Sequence, residues 1–214
     1  MPTALYRFIL AIALLIPMAT HASDAEDFVA ANPVQQAKLL ESWAAQPDPA
    51  RIELINALQQ GALTVDGQVK TLRLNNRLRG LIDTALASHQ LLAADAKIRL
   101  AAAQQLQKSA KPAQLKFLDL QLAAEQDEGV HAALSLALAN LQLVDSDPAV
   151  RLAAVRLLGE TGDPLARTRL ESLLEPSVET DATVRTAAET SLAQVKRKLL
   201  IGEILGQAFS GMSL

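Results

Sequence analysis

The chain is 214 residues long, with 20 Lys and Arg against 23 Asp and Glu, no Cys, and apolar residues at 50% of positions. That length allows one sizeable domain, or one domain with appendages, and a net charge of −3 gives no electrostatic case for nucleic acid, which needs clustered Lys and Arg. Four Phe, one Tyr and one Trp leave Ala and Leu to build the core, a composition of closely packed helices that excludes global disorder and disulfide scaffolding.

Residues 1–22 form a separate segment. Arg7 is the sole charge before Asp24 and precedes the apolar run Phe8 to Ile16, which Pro17-Met18-Ala19 ends. Thr20-His21-Ala22 puts small residues at the −3 and −1 positions of a cleavage site, so the segment reads as a secretory signal peptide cut after Ala22. The run is short of the roughly 20 apolar residues of a bilayer span. Loss of Arg7 leaves 19 basic against 23 acidic residues, a net −4 with no polybasic membrane patch.

From residue 23 to 60 the pattern predicts a helical hairpin. One helix follows Pro33 and carries Val34, Ala37, Leu39, Leu40 and Trp43; the other follows Pro49, carries Ile52, Leu54, Ile55 and Leu58, and ends at Gly61. Residues 61–74 hold Asp66-Gly67 between two short runs, Leu63 and Val65 on one side and Val69 and Leu72 on the other. That arrangement predicts a small β-hairpin.

Residues 75–198 repeat. A shift of 52 residues superposes Ala85-Leu86-Ala87 on Ala137-Leu138-Ala139, Asp95 on Asp147, Arg99-Leu100-Ala101-Ala102 on Arg151-Leu152-Ala153-Ala154, and Pro112 on Pro164. Matched Asp, Arg and Pro at turn positions argue against chance similarity of Ala/Leu helices. Each unit reads as three helices, about 76–90, 95–109 and 112–126, then about 129–142, 147–161 and 164–175. A seventh begins near Asp181, where Val184-Arg185 echoes Val150-Arg151. Such units bury their apolar faces only by stacking, which leaves the edges of the array as the binding surface.

The stretch Asp147 to Glu175, with Asp147-Pro148 opening a helix, Arg151 following and Gly162-Asp163-Pro164 turning into the next, resembles a HEAT-like helical hairpin. The resemblance implies an all-α, HEAT-like helical-repeat solenoid with one small inserted β-hairpin. It also implies that Asp95, Arg99, Asp147, Arg151 and Arg185 are structural repeat positions, bridging neighbouring repeats from inside the turns. Asp as N-cap and Pro in a first helical turn agree with that.

Chemistry is sparse. His89 and His131 have no HExxH, no second His at i+4 and no Cys beside them, and read as polar residues on helix surfaces. HEAT-like proteins that bind iron use His-Glu pairs, and no His here precedes Glu. No GxSxG, GxxxxGK[ST] or GxGxxG occurs. Glu125, Asp127 and Glu128 read as acids complementing a helix N-terminus, and Lys196-Arg197-Lys198 as bases near a helix end. No catalytic, cofactor-binding or metal-binding residue is assigned.

In residues 199–214, Ile201, Ile204, Leu205, Ala208 and Phe209 share one helical face, and Gly202 and Gly206 form a GxxxG pair. The periodicity fits either the approach to a membrane span or a terminal helix capping the last repeat. The order of signal peptide, helical hairpin, β-hairpin leading into "LRLNNRLRGLIDTALA", repeats, and "KLLIGEILGQAFSGMSL" resembles the exported N-terminal region of urea-type ABC transporter permeases of the branched-chain amino acid permease family. That resemblance implies residues 199–214 as an apolar lead-in to a membrane domain. It also implies a periplasmic location at the bacterial inner membrane, and partners among the other transporter subunits, the partner permease and the solute-binding protein. Import of urea or short-chain amides would have none of its chemistry in these residues. The alternative is a free-standing periplasmic HEAT-repeat adaptor.

Overall fold

Most of the described helices begin where a side chain takes up free N–H groups of the first turn. The computed structural model describes the backbone of residues 19–211 and the side chains of residues 24–205; the signal-peptide expectation through residue 18 and the side chains of residues 206–214, Gly206 of the GxxxG pair included, lie outside that range. The described helices are α1 (Ala19–Ala30), α2 (Pro33–Ala45), α3 (Ile52–Gln59), α4 (Asn76–Gln90), α5 (Ala96–Ser109), α6 (Leu115–Ala124), α7 (Glu128–Gln142), α8 (Pro148–Gly159), α9 (Pro164–Ser172) and α10 (Ala182–Gly211). Short 3-10 turns, Pro49–Arg51 and Pro112–Gln114, lead into α3 and α6. Asn32, Asn75, Asp95, Asp127, Asp147 and Asp163 each accept a first-turn N–H of the helix that follows. The protein is therefore mostly helical, with one small antiparallel sheet among the described residues.

Strands β1 (Ala62–Val65) and β2 (Gln68–Thr71) pair with Val65 opposite Gln68 and Ala62 opposite Thr71. Asp66 and Gly67 both take positive φ, 51° and 71°. That is the backbone of a two-residue turn whose twist matches the strands, and the reason the Asp-Gly signal is legible. Leu63 and Val65 are buried, whereas Val69 on β2 is 71% exposed, so the hairpin buries one strand only.

Contacts divide the described chain into two units, one through Ala94 and one from Asp95. In the first, α4 packs on α2 and α3, and α1 packs on β1 and α2. Helix α4, which the 52-residue register places at the head of a repeat, is thus part of the N-terminal unit. Helix α1 has no counterpart in the sequence reading, yet its Ala25 and Phe28 are core residues. It begins at Ala19 and so runs across the expected cleavage position. Phe28 stacks on Trp43 with ring centroids 5.9 Å apart. The Arg51 guanidinium lies 5.3 Å from the Trp43 ring centre and bonds Asp24 of α1 at 2.8 Å. One cation thereby joins α1, α2 and the turn into α3.

His89 is the main departure in this unit. Expected on a helix surface, it is buried. Its Nδ1 lies 2.8 Å from the Ala85 carbonyl, and its Nε2 accepts the Asp48 backbone N–H at 3.2 Å. A carbonyl can only accept, so Nδ1 carries the proton and Nε2 offers its lone pair, which fixes a neutral tautomer. The ring pins the loop between α2 and α3 to α4. Burial pushes its pKa below the ordinary 6.5, helped by Arg51 and opposed by the Ala85 carbonyl and Asp48.

In the second unit α5 and α6 pack on α7, α7 packs on α8, and α8 and α9 pack on α10. Small residues permit close approach. Ala139, Ala154 and Ala188 are buried in the core with Val155, Leu158, Leu170, Val184 and Val195. A methyl placed on Gly159 of α8 would stand 2.6 Å from the Ser191 hydroxyl of α10, closer than any side chain tolerates. Helix α5 is stitched to α7 through backbone carbonyls: Gln107 Nε2 donates to Ala133 O and Asn140 Nδ2 donates to Gln107 O, each at 3.1 Å. The basic cluster needs correction. Helix α10 is 30 residues long, so Lys196-Arg197-Lys198 lies within it and not at its end, and a dipole role is lost because that effect is confined to the last turn. Lys196 pairs with Glu171 of α9 and Lys198 donates to the Glu160 carbonyl.

A neutral His89 in the folded state makes stability pH-dependent. Its contribution is fully present above the ordinary pKa of 6.5 and is lost as pH falls from there through the lowered folded value, because the unfolded chain takes the proton first. The expected result is a urea midpoint that falls between pH 7.5 and 5.5 and a smaller fall over the same interval in His89→Gln. Parallel curves would show that the ring is not held neutral.

Candidate functional site

Every inter-helix loop of the second unit that ends in an N-cap Asp has a side-chain acceptor two residues before it. Glu125 Oε1, Asp145 Oδ1 and Glu179 Oε1 accept the N–H of Asp127, Asp147 and Asp181 at 2.9, 2.9 and 2.8 Å. Thr161 does the same for Asp163 at 3.4 Å. Four residues after the cap stand Arg99, His131, Arg151, Arg167 and Arg185. One helical turn separates cap from base; Nη1 of Arg151 and of Arg185 reaches back to a carbonyl of the loop preceding its own helix, whereas Arg167 pairs forward with Glu171 on the same helix.

Two of these arginines make forked ion pairs with the acid of a later loop. Arg99 on α5 donates through Nε and Nη2 to both carboxylate oxygens of Glu125, at 2.7 and 2.8 Å. Arg151 on α8 does the same to Glu179, at 2.7 and 2.9 Å, while its Nη1 donates to the Asp145 and Ser146 carbonyls at 2.7 and 3.1 Å. The carboxylates are nearly enclosed, with side chains 6% and 2% exposed. Each is also bonded to backbone N–H, so charge and lone pairs are both satisfied. The Arg99 hydrogen bond holds the Glu125 carboxyl at about 2, against an ordinary 4.5, with burial opposing. Glu179 is lowered by Arg151 in the same way. Both guanidinium groups are raised by their partners.

Asp95 and Asp147 are caps, bonding the N–H of Lys97 and Ala149 at 2.8 Å each. The carboxylates that Arg99 and Arg151 hold in forked pairs are those of Glu125 and Glu179, not of these aspartates. Glu125, read from sequence as an acid complementing the start of α7, is the acceptor of the Arg99 fork, and Glu179 was not singled out. The signal was present as Glu-x-Asp ahead of a helix, 26 and 28 residues after an Arg. Arg185 repeats the backbone half of the pattern: its Nη1 donates to the Glu179 carbonyl at 2.7 Å, and among the described residues no carboxylate pairs with it.

Between α8 and α10 runs an open groove of about 750 Å³, lined by Leu152, Arg156 and Glu160 on one side and by Thr183, Thr186, Thr190 and Gln194 on the other. Its walls offer hydroxyl and amide donors and acceptors with one charge of each sign. Farther along α10, Leu200, Ile201, Ile204 and Leu205 are 46–56% exposed. Among the described residues no group of three or more His, Asp or Glu is placed to hold a metal ion, and no helix is long and apolar enough to cross a membrane. Neither protein-family models nor curated proteins give a match to this chain.

The forked pairs carry a measurable share of stability. Glu179→Gln is expected to lower it by about 1.5–3 kcal/mol, the range for a hydrogen bond to a charged group; an unchanged denaturation midpoint would show the pair to be ornamental. Glu125 has a folded pKa of about 2 against 4.5. Its contribution is therefore present above pH 4.5 and lost as pH falls from there toward the folded value. Glu125→Gln should remove part of the acid-induced loss below pH 4.5 and leave the interval from pH 7.5 to 5.5 as it was.

Proposed function

We propose that this chain is the exported N-terminal domain of a urea-type ABC transporter permease, a HEAT-like repeat array serving as an interaction or assembly module for the other subunits. Helix α10 carries the reading. It starts as the last packing helix of the second unit, with Val184, Ala188, Leu192 and Val195 in the core. It then continues unbroken into turns whose Leu200, Ile201, Ile204 and Leu205 meet no partner in the described chain. They belong to the stretch "KLLIGEILGQAFSGMSL", of which the run Gln207 to Leu214 resembles the lead into the first span of such permeases. The forked pairs support the repeat reading, since Arg99 and Arg151 stand 52 residues apart and make equivalent bonds. Partners on this reading are the partner permease and the solute-binding protein. Urea or a short-chain amide would pass through residues beyond these.

A free-standing periplasmic adaptor is the second reading. Leu199 favours it, because that side chain packs against the core of the second unit and gives the tail a capping role.

Two measurements separate them. Transcript sequencing through the Leu214 codon is expected to read on into an apolar permease sequence beside ATPase and binding-protein genes; a transcript holding this domain alone would overturn the transporter assignment. Removal of residues 200–214 is expected to shift stability by less than about 0.5 kcal/mol, as for surface changes, while reducing detergent binding. A loss of several kcal/mol would make the tail a structural cap, at about 25 cal/mol per Å² of newly exposed apolar surface.

A further inference from the structure

Arg185 is built like the two arginines that hold forked carboxylates, and among the described residues its fork is open. It follows Asp181 as Arg99 follows Asp95 and Arg151 follows Asp147, each cap bonding the N–H two residues on. Its Nη1 is anchored on the Glu179 carbonyl six residues back, as Arg151 Nη1 is anchored on Asp145. In Arg151 that anchor turns Nε and Nη2 toward Glu179. The side chain of Arg185 is half-buried and already oriented, so a carboxylate arriving there would meet a preorganised donor pair and leave little rotamer entropy to lose.

We propose that Arg185 is a docking position for a partner protein, and that the partner offers a Glu placed two residues before the N-cap of a helix. The chemistry follows from the two filled examples. A carboxylate in that place takes both guanidinium donors and also accepts the N–H of its own cap residue, as Glu125 and Glu179 do, which compensates its desolvation. A second copy of this chain is a poor occupant, because Glu125 and Glu179 are already committed to Arg99 and Arg151. Asp145 is bonded to its own cap and lies beside Arg151. The inference deepens the interaction-module reading and rests on that part of it; it does not require the partner to be a transporter subunit.

The test uses a defined probe, a fluorescent peptide of residues 122–142, which contains the Glu125-Gln126-Asp127 turn and α7. Binding to the full chain is read by anisotropy. Arg185→Gln is expected to weaken it at least tenfold, Arg185→Lys to recover only part, and Arg167→Gln, at the same distance from its cap, to change nothing. Glu125→Gln in the peptide should cost the same factor against the native chain and nothing further against Arg185→Gln. That arm is informative even if an Arg185 variant is unstable. No binding of the peptide, or equal binding by the native chain and Arg185→Gln, overturns the proposal. Concentration-dependent self-association abolished by Arg185→Gln would also overturn it, by making a second copy the occupant.

Discussion

The second unit depends on one arrangement: a guanidinium on one helix reaching a carboxylate that is tied to the start of another. A forked pair at this depth is stable because its carboxylate is satisfied from both sides. Glu179 is bonded twice by Arg151 and once by the Asp181 N–H, and Arg151 Nη1 donates to two carbonyls. A surface pair such as Arg167 with Glu171, half exposed at both ends, has no such support and contributes little. The difference lies in desolvation. Enclosing the carboxylate strengthens the Coulomb term, and backbone N–H groups prevent the burial cost from cancelling it.

That arrangement fixes direction as well as energy. Apolar packing between Ala-rich helices is nearly indifferent to sliding, since one methyl face resembles the next. A fork that accepts only one carboxylate geometry selects a register. The close approach of Gly159 to Ser191 does the same sterically, because no larger residue fits there. Unit one solves its problem differently. It has the one Trp, and Trp43 gathers Phe28 by stacking and Arg51 by its ring face, so a single large side chain holds α1 and the turn before α3 in place.

Much of this was legible because the chain writes its helix boundaries in short-range chemistry. Asn32, Asn75, Asp95, Asp127, Asp147 and Asp163 precede their helices as caps should, and Asp66-Gly67 marks its turn through positive φ. The parts that escaped are those set by distance along the chain. Helix α1 lies beside a segment read as a signal peptide, and only the tertiary burial of Phe28 marks it as core. His89 looks like a surface residue because its partners are a carbonyl one turn back and the Asp48 N–H, 41 residues away. Glu125 looked like a dipole acid because local sequence explains it adequately; the Arg99 contact adds a second role that periodicity cannot reveal. The end of α10 was obscured for the opposite reason. Three consecutive bases suggest a helix end, but two of them are held by Glu171 and the Glu160 carbonyl.

Those same two contacts bear on how the tail relates to the body. Lys196 and Lys198 tie α10 to α9 and to the end of α8, and among the described side chains Leu199 is the last of the helix to pack against the core. One turn later the side chains are exposed and mostly apolar. A helix clamped along five turns and then released has its direction set by the body. An unclamped segment of that length would fray, because short isolated helices are marginal in water. Whatever covers Leu200, Ile201, Ile204 and Leu205 therefore meets a helix whose axis is already determined. The same helix starts at the Glu179 turn, where Arg151 and Arg185 both bond, so the exposed apolar turns and Arg185 lie on one continuous helix.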